Sequence, residues 1–248
     1  MELLREAWKI LIEYWPLISR GIINTLIVSL LGTVIGLMIG LVIGALRYIC
    51  NQRDRKEKKS VTIVKKIANF VFGAYVEIIR GTPMMVQAML FYWGLKSSLQ
   101  WDPFVASICI ISVNTGAYMA EIIRSGIQSV DKGQGEGARS IGLSSWQTMQ
   151  YVILPQALKN AFPSVGNEFV VNIKDSSVLN CIGFSELFLQ AKSIVGSTFD
   201  YVTPFFVAGI IYFILTYATT FLLGIIEKRI GLPKQTMPTS QTMPAREE

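Results

Sequence analysis

Few residues in this chain could perform catalysis. It contains no histidine, which excludes His-ligated metal sites and Ser-His or Cys-His nucleophile pairs. Its three cysteines, Cys50, Cys109 and Cys181, are far apart, and each lies in or next to an apolar run. They show neither a paired metal spacing nor a secreted disulfide pattern, and we interpret them as small buried apolar residues. The sequence therefore argues against a membrane enzyme and against a metal site.

A glycine-rich stretch invites comparison with a phosphate-binding loop. Gly133, Gly135 and Gly137 alternate with polar residues. No predicted strand precedes them, and no Gly-Lys-Ser/Thr follows, so the context that a phosphate loop requires is missing. We therefore expect no ATP site in this chain.

Charged residues within apolar runs are the stronger candidates for function. Glu77 and Arg80 are three residues apart, on one helical face, just before Gly81-Thr82-Pro83. A charge at a bilayer centre costs about 2.5–3.5 kcal/mol, so both side chains should face protein or water. At this spacing they can pair with each other. Two readings remain open: a structural pair, or the lining of a polar path.

A second polar group lies on the next apolar run. Asn114, Tyr118 and Glu121 follow i, i+4, i+7 spacing and share a helical face. An acid on such a stripe would suit the ammonium of a cationic or zwitterionic substrate in a low-dielectric site. A structural hydrogen-bond network is the alternative.

The elements that must position these residues are membrane spans. Of the 248 residues 51% are hydrophobic and only 16% are charged, against about 25% charged in soluble domains. The first span, Gly21 to Leu46, has no charge, and its glycines at 32, 36, 40 and 44 predict a helix-packing stripe. Further spans are predicted at about 67–95, 103–123, 176–194 and 201–226. The sequence thus predicts an all-α integral membrane protein with five transmembrane helices.

The charges predict the orientation of these spans. Arg47–Lys66 is rich in Lys and Arg, which makes this loop cytoplasmic by the positive-inside rule. The N-terminus is then outside, and Lys228-Arg229 place the C-terminus inside. Residues 124–175 are too polar for lipid and are expected in the cytoplasm. Residues 1–20 predict an interfacial amphipathic helix anchored by aromatic residues, 21–229 a transmembrane domain that contains the polar stretch 133–155, and 230–248 a disordered tail.

The polar stretch 133–155 predicts two short helices on the inner face. Gly142 is expected to end the first, and Ser144 with Gln147 forms a capping-box start for the second. Trp146, Met149, Gln150 and Ile153 then fall at helical spacing and predict a one-sided ridge. Such a ridge could dock a cytosolic protein or fold back onto the chain's own spans.

These motifs resemble a known family. The order Glu136-Gly137-Ala138, Gly142, Ile153-Leu154-Pro155 resembles the EAA loop of ABC-importer permeases. Other motifs resemble the polar amino acid permeases, the group that includes histidine, glutamine and arginine importers: Glu77-Ile-Ile-Arg-Gly-Thr-Pro83, Ala117-Tyr-Met-Ala-Glu-Ile-Ile-Arg124, Val130-Asp-Lys-Gly-Gln134, Val152-Ile-Leu-Pro-Gln-Ala-Leu158 and Lys174-Asp-Ser-Ser-Val178. The resemblance covers roughly residues 21–226. Gly137 departs from the usual alanine and softens its helix by about 1 kcal/mol.

The resemblance implies a type I ABC importer permease in a bacterial inner membrane. It implies no bond chemistry and no bound cofactor, with ATP and Mg on a separate ATPase. The implied partners are two ATPase subunits, a second permease (the same or a related chain) and an extracytoplasmic solute-binding protein. The implied coupling residues are Glu136, Gly137, Ala138, Arg139, Gly142, Ser144, Trp146, Leu154 and Pro155. Asn114, Tyr118, Glu121, Glu77 and Arg80 are the expected substrate path. The alternative is an ion-coupled secondary transporter or a channel.

Overall fold

The computed structural model describes residues 1–51 and 59–230, which are helical with short connections. The elements in order are α1 (Glu2–Glu13), α2 (Trp15–Asn51), α3 (Lys59–Arg80), α4 (Met84–Leu99), α5 (Pro103–Gln128), α6 (Lys132–Ser140), α7 (Ser145–Thr148), a π-helical turn (Met149–Ile153), α8 (Leu154–Asp175), a 3₁₀ segment (Ser176–Ile182), α9 (Leu187–Thr198) and α10 (Thr203–Ile230).

Long apolar helices identify a membrane protein. Within the described ranges, α2, α5 and α10 are each long and apolar enough to cross a bilayer. The helical run from Ser145 to Ile182 and α9, bent by 53° relative to each other, would together make a fourth crossing. The fold is therefore an all-helical membrane protein with three to four candidate spans.

The central contact of the bundle is between α2 and α5. Gly36 lies against Thr115, and Gly40 lies against Met119 and Ala120. A Cβ atom built on Gly40 would be 2.7 Å from the backbone carbon of Met119, so no side chain fits there. The predicted glycine stripe is confirmed as a packing face, and its partner is another helix of the same chain.

The second predicted span is broken into α3 and α4. The break at Gly81–Pro83 leaves carbonyl groups at the end of α3 without helical partners, as any helix end does. The side-chain amide of Gln87 donates to the carbonyls of Ile79 and Thr82, at 2.7 and 3.0 Å. This buried glutamine therefore holds α3 and α4 together across the proline.

The structure corrects the fourth predicted span. Residues 154–175 were expected in the cytoplasm because they are polar, yet they form α8 inside the bundle. Asn172 donates to Thr33 of α2 at 2.8 Å and accepts from Thr115 of α5 at 3.0 Å. The polar side chain of Asn172 is hydrogen-bonded to neighbouring helices and does not face lipid, so α8 can lie within the bundle despite its polarity. The predicted span 176–194 is instead a 3₁₀ segment, a turn at Gly183 and most of α9.

Glu186, which follows that turn, is a fully buried acid at the start of α9. Its carboxylate accepts from the backbone N–H groups of Phe188 and Leu189, at 2.6 and 2.7 Å, and thereby caps α9. The hydroxyl of Tyr212 on α10 donates to it at 2.8 Å. These bonds explain an acid inside an apolar stretch as a structural cap.

The N-terminal helix is shorter than predicted. α1 ends at Glu13, and residues 15–20 form the first turns of α2. Ala7 and Ile10 pack in a cluster with Leu187 and with Val207 of α10, whereas Trp8 is exposed. Part of the basic loop and the predicted tail from 231 onward lie outside the described residues.

Candidate functional site

The polar insert begins with a capped helix. The Asp131 side chain accepts from the N–H of Gly133 at 2.7 Å and starts α6. At the other end Gly142 has φ of +90°, a left-handed conformation that favours glycine. The N–H of Gly142 donates to the carbonyl of Arg139, and that of Leu143 to the carbonyl of Ala138, at 3.0 and 3.2 Å. This is a Schellman motif, and the predicted helix stop at Gly142 is confirmed.

The second helix of the insert starts at the predicted capping box. The Ser144 hydroxyl accepts from the N–H of Gln147, and the Gln147 side chain accepts from the N–H of Ser144, at 3.2 and 2.9 Å. The helix then runs through the π-helical turn directly into α8. The insert is therefore joined rigidly to a helix of the bundle.

The insert has an inner and an outer face, which divides the predicted ridge. Met149 and Ile153 are only 2% and 5% exposed and pack with Ile123 of α5. Trp146, by contrast, is 60% exposed, and Gln150 is exposed as well. Half of the ridge therefore folds back onto the chain's own helices, which was the second alternative, and the other half stays exposed. The π-helical turn, with more residues per turn than an α-helix, lies within this segment.

Most of the predicted coupling residues lie on the outer face. The exposed ones are Glu136, Gly137, Arg139, Gly142, Ser144, Trp146 and Pro155. Ala138 is buried, and Leu154 is half-buried against the inner cluster. Ile141 is 81% exposed beside Gly142, a large apolar side chain that the sequence analysis did not select.

Asn114 belongs to a hydrogen-bond network within the chain. Its side-chain nitrogen donates to the Gln87 side-chain oxygen at 2.9 Å, and the residue is buried. Since Gln87 also bridges the break between α3 and α4, Asn114 supports that bridge. The structure thus favours the structural alternative for this residue.

Glu121 is surrounded by arginines. One carboxylate oxygen accepts from Arg47 of α2 at 2.9 Å, and the other accepts from Arg124, one helical turn away, at 2.7 and 2.9 Å. Both ion pairs are largely shielded from solvent on the Glu121 side. The acid therefore has two cationic partners and is not the unpaired counter-charge expected for a substrate ammonium.

Arg80 and Tyr118 contact each other in the wall of a cavity. The Arg80 guanidinium carbon lies 5.3 Å from the centre of the Tyr118 ring, a cation–π arrangement. Both residues line a cavity of about 560 Å³ together with Asn160 and Ser164 of α8. Within the described ranges, Arg80 forms no ion pair with Glu77, so the predicted i, i+3 pair is not formed.

The sequence analysis missed the contribution of α8. Ser164 lines the cavity, and Glu168 lies one helical turn further along the same face. Glu168 is half-buried, and its carboxylate has no hydrogen-bond or ion-pair partner in the part of the chain that the structure describes. The i, i+4, i+8 spacing of Asn160, Ser164 and Glu168 predicts a polar helix face. This spacing was not selected from the sequence because the stretch was expected in the cytoplasm.

Among residues 1–51 and 59–230, no group of three or more His, Cys, Asp or Glu side chains is arranged to hold a metal ion. The site offers instead an exposed aromatic and charged surface, and a polar cavity bounded by α3, α5 and α8.

The sequence is similar to those of membrane components of transport systems. The profile of the family described as "Binding-protein-dependent transport system inner membrane component" matches residues 62–232. The glutamine transport system permease protein GlnP of Escherichia coli (strain K12) is 39% identical over 169 residues, 67% of this chain and 77% of that protein. The arginine transport system permease protein ArtQ of Bacillus subtilis (strain 168) is 37% identical over 158 residues, 63% of this chain and 72% of that protein.

Solved structures share the fold. The crystal structure of an amino acid ABC transporter with histidines matches with a TM-score of 0.76 and 39% identity, covering 88% of this chain and 96% of that one. The MetNI methionine ABC transporter, in inward-facing conformations, matches with a TM-score of 0.73 over 86% of this chain and 96% of that one. At 20% identity, this second likeness concerns the fold alone.

Proposed function

We propose that α6 and α7 form the docking surface for the ATPase of an amino acid ABC importer. The chain belongs to the family of binding-protein-dependent transport system inner membrane components, and it is the permease subunit of such an importer. The ATPase is a separate subunit, and the permease is a multi-pass protein of the inner membrane. ATP and Mg bind to that partner. Two ATPase subunits, a second permease and an extracytoplasmic solute-binding protein complete the proposed assembly.

The observation that carries this coupling role is the division of the insert into two faces. Trp146 and Ile141 are exposed outward, while Met149 and Ile153 fix the same segment to α5. A partner bound at Trp146 therefore contacts a segment that continues, without a loop, into α8. The Schellman motif and the capping box fix the angle between α6 and α7, so a displacement of the bound partner in either direction would also displace α8.

The coupling role is tested by reversing a charge on the outer face. Glu136→Lys should lower ATP-driven uptake in proteoliposomes while the permease still inserts and co-purifies with its membrane partner. Glu13→Lys, at an acid on α1 that is also exposed, is the matched control and should leave uptake unchanged. Unchanged uptake in Glu136→Lys would refute the assignment of α6.

An aromatic truncation separates docking from folding. Trp146→Ala should reduce co-purification of the ATPase subunit with little change in the melting temperature of the permease. Met149→Ala, on the inner face of the same segment, should instead cost about 2–5 kcal/mol of stability. Equal effects of the two substitutions on co-purification would contradict the two-face interpretation.

We propose that the substrate path follows the cavity between α5 and α8. Tyr118, Asn160 and Ser164 line it, and the half-buried carboxylate of Glu168 supplies the counter-charge for an ammonium group. The proposed cargo is a polar amino acid, cationic or zwitterionic. The names of the relatives, for glutamine and arginine transport, support this class.

The path is tested at Glu168. Glu168→Gln should raise the KM of uptake about tenfold or more, because a neutral amide replaces the partner of the ammonium. Glu168→Asp keeps the charge and should recover most of the affinity. If both variants behave like the parent protein, Glu168 is outside the path.

For topology we propose five crossings with the N-terminus outside and the C-terminus inside. Lys59 and Lys65 at the start of α3 and Lys228-Arg229 at the end of α10 support this orientation. In it, α3 and α4 together make one broken crossing, and α8 with the 3₁₀ segment makes another. A reporter fused after Ile230 should be active only in the cytoplasm, and activity outside would refute the orientation.

A further inference from the structure

A second cavity lies where the ends of α2 and α5 meet α3. Its volume is about 500 Å³, within the roughly 300–1,000 Å³ of small-ligand sites. It shares Arg80, Glu121 and Arg124 with the path cavity but is bounded by α2 in place of α8. Its lining consists of Arg47, Tyr48, Asn51, Val76, Glu77, Arg80, Glu121, Arg124 and Gln128.

Three of the five charges in this lining are already paired. Glu121 accepts from Arg47 through one oxygen and from Arg124 through the other. Arg124 also donates to the side-chain oxygen of Gln128 at 3.1 Å. Both oxygens of Glu121 are therefore occupied, and the two arginines share this one carboxylate. The buried Nε–H of Arg47 has no hydrogen-bond partner in the part of the chain that the structure describes.

The two remaining charges have opposite signs. Glu77 and Arg80 line the cavity one helical turn apart on α3, and both are exposed. Pairs at this spacing commonly form ion pairs, yet these two do not, because Arg80 lies over the Tyr118 ring instead. Over the described ranges, neither has an ion-pair partner of its own. The cavity therefore presents one unpaired carboxylate and one unpaired guanidinium.

We infer that this cavity is a second amino acid site, in which Arg80 binds the α-carboxylate and Glu77 binds the α-ammonium of a zwitterion. Guanidinium and carboxylate match in a planar, two-bond geometry, and an ammonium matches a carboxylate as a point charge. The Tyr118 ring fixes the guanidinium at the wall. The inference rests on the proposed amino acid path and adds a site to it.

The location of the site gives it a function different from the path. It lies toward the end of α2 from which the basic loop continues, the side proposed to be cytoplasmic. Amino acid accumulated in the cytoplasm therefore has access to it without crossing the membrane. Occupancy of the site would therefore follow the amino acid concentration on that side of the membrane.

The test measures which end of the ligand each residue recognises. The intact complex with its ATPase, carrying Glu168→Gln to weaken the path, is titrated with L-glutamine, L-glutamine methyl ester and N-acetyl-L-glutamine. The wild-type cavity should bind L-glutamine at least tenfold tighter than either analogue. Arg80→Gln should abolish the preference over the methyl ester only, and Glu77→Gln the preference over the N-acetyl compound only.

Conservative variants guard against misfolding. Arg80→Lys and Glu77→Asp keep the charges and should retain both preferences at reduced affinity. The second site would be refuted if Arg80→Gln and Glu77→Gln left both preferences unchanged, or if they lowered the affinity for all three probes equally. ATP-driven uptake by the parent complex is measured in parallel, because its absence would refute the proposed function and not this inference.

Discussion

The substitution Gly40→Ala tests whether close packing of α2 on α5 determines the stability of the bundle. A Cβ atom at this position would lie 2.7 Å from the backbone carbon of Met119 and 2.8 Å from the backbone nitrogen of Ala120. Backbone atoms cannot rotate away as a side chain would. The two helices must therefore separate by at least about 0.7 Å to reach an ordinary contact of 3.4 Å, because the Cβ atom of Met119, which the backbone also fixes, lies closer still.

The expected magnitude follows from overpacking. Inserting one methyl group into a filled interface costs about 1–3 kcal/mol. A chain of this size loses roughly 2–4 °C of melting temperature for each kcal/mol. We therefore expect the melting temperature of the purified complex to fall by several degrees, with a further loss of transport because Arg47 and Glu121 lie on the same α2–α5 contact.

A matched control isolates the packing effect. At Gly224, inside α10, an added Cβ would meet no described atom within 4 Å. Alanine gains about 1 kcal/mol of intrinsic helix stability over glycine at either position, so the difference between the two variants reports the contact alone. If Gly40→Ala melts at the same temperature as Gly224→Ala, the glycine stripe does not hold the helices together.

Three further predictions concern α6, the arginine cluster and the cap of α10. Gly137→Ala should stabilise α6 by about 1 kcal/mol, because no described atom lies within 4 Å of the new methyl group; hydrogen exchange of its amides should slow roughly fivefold, and unchanged exchange would argue against a frayed helix. Glu121→Gln should cost about 1–3 kcal/mol, since Arg47 and Arg124 lose a shared carboxylate, and adding Arg47→Gln should recover part of the melting temperature; full additivity would contradict the pairing. Asp200 caps α10, and hydrogen bonds from the side chain and N–H of Thr203 and the N–H of Val202 hold its pKa below the ordinary value. Its contribution is thus present above the unfolded-state pKa of about 3.9 and is lost as pH falls through the lower folded-state pKa, so the melting-temperature gap to Asp200→Asn should close on acidification; a constant gap would rule out the charge as its source.

Features set by neighbouring residues could be predicted from the sequence. The capping box at Ser144 and the helix stop at Gly142 depend on a few adjacent positions, and both occur as expected. The glycine stripe was also readable, because a repeat of four residues places small side chains on one face of any α-helix. What the stripe contacts was not readable, since α5 lies far away in sequence.

Features that depend on distant partners could not be predicted. Asn172 appears too polar for a membrane protein until Thr33 and Thr115, 139 and 57 residues away, satisfy it. The sequence alone indicates an unpaired acid at Glu121, because its partner Arg47 is 74 residues away. Hydropathy treats each residue as though it faced lipid or water, and these residues face protein.

The polarity of α8 also constrains how the protein is made. Asn160, Glu168, Asn172 and Lys174 lie on one helix, and charged residues near a helix centre oppose entry into lipid by about 2.5–3.5 kcal/mol each. Such a helix does not partition into the bilayer alone as it leaves the ribosome. We expect it to enter only when α2 and α5 are already in place, because Thr33 and Thr115 satisfy the side chain of Asn172. The insertion of α8 therefore depends on helices that are made before it.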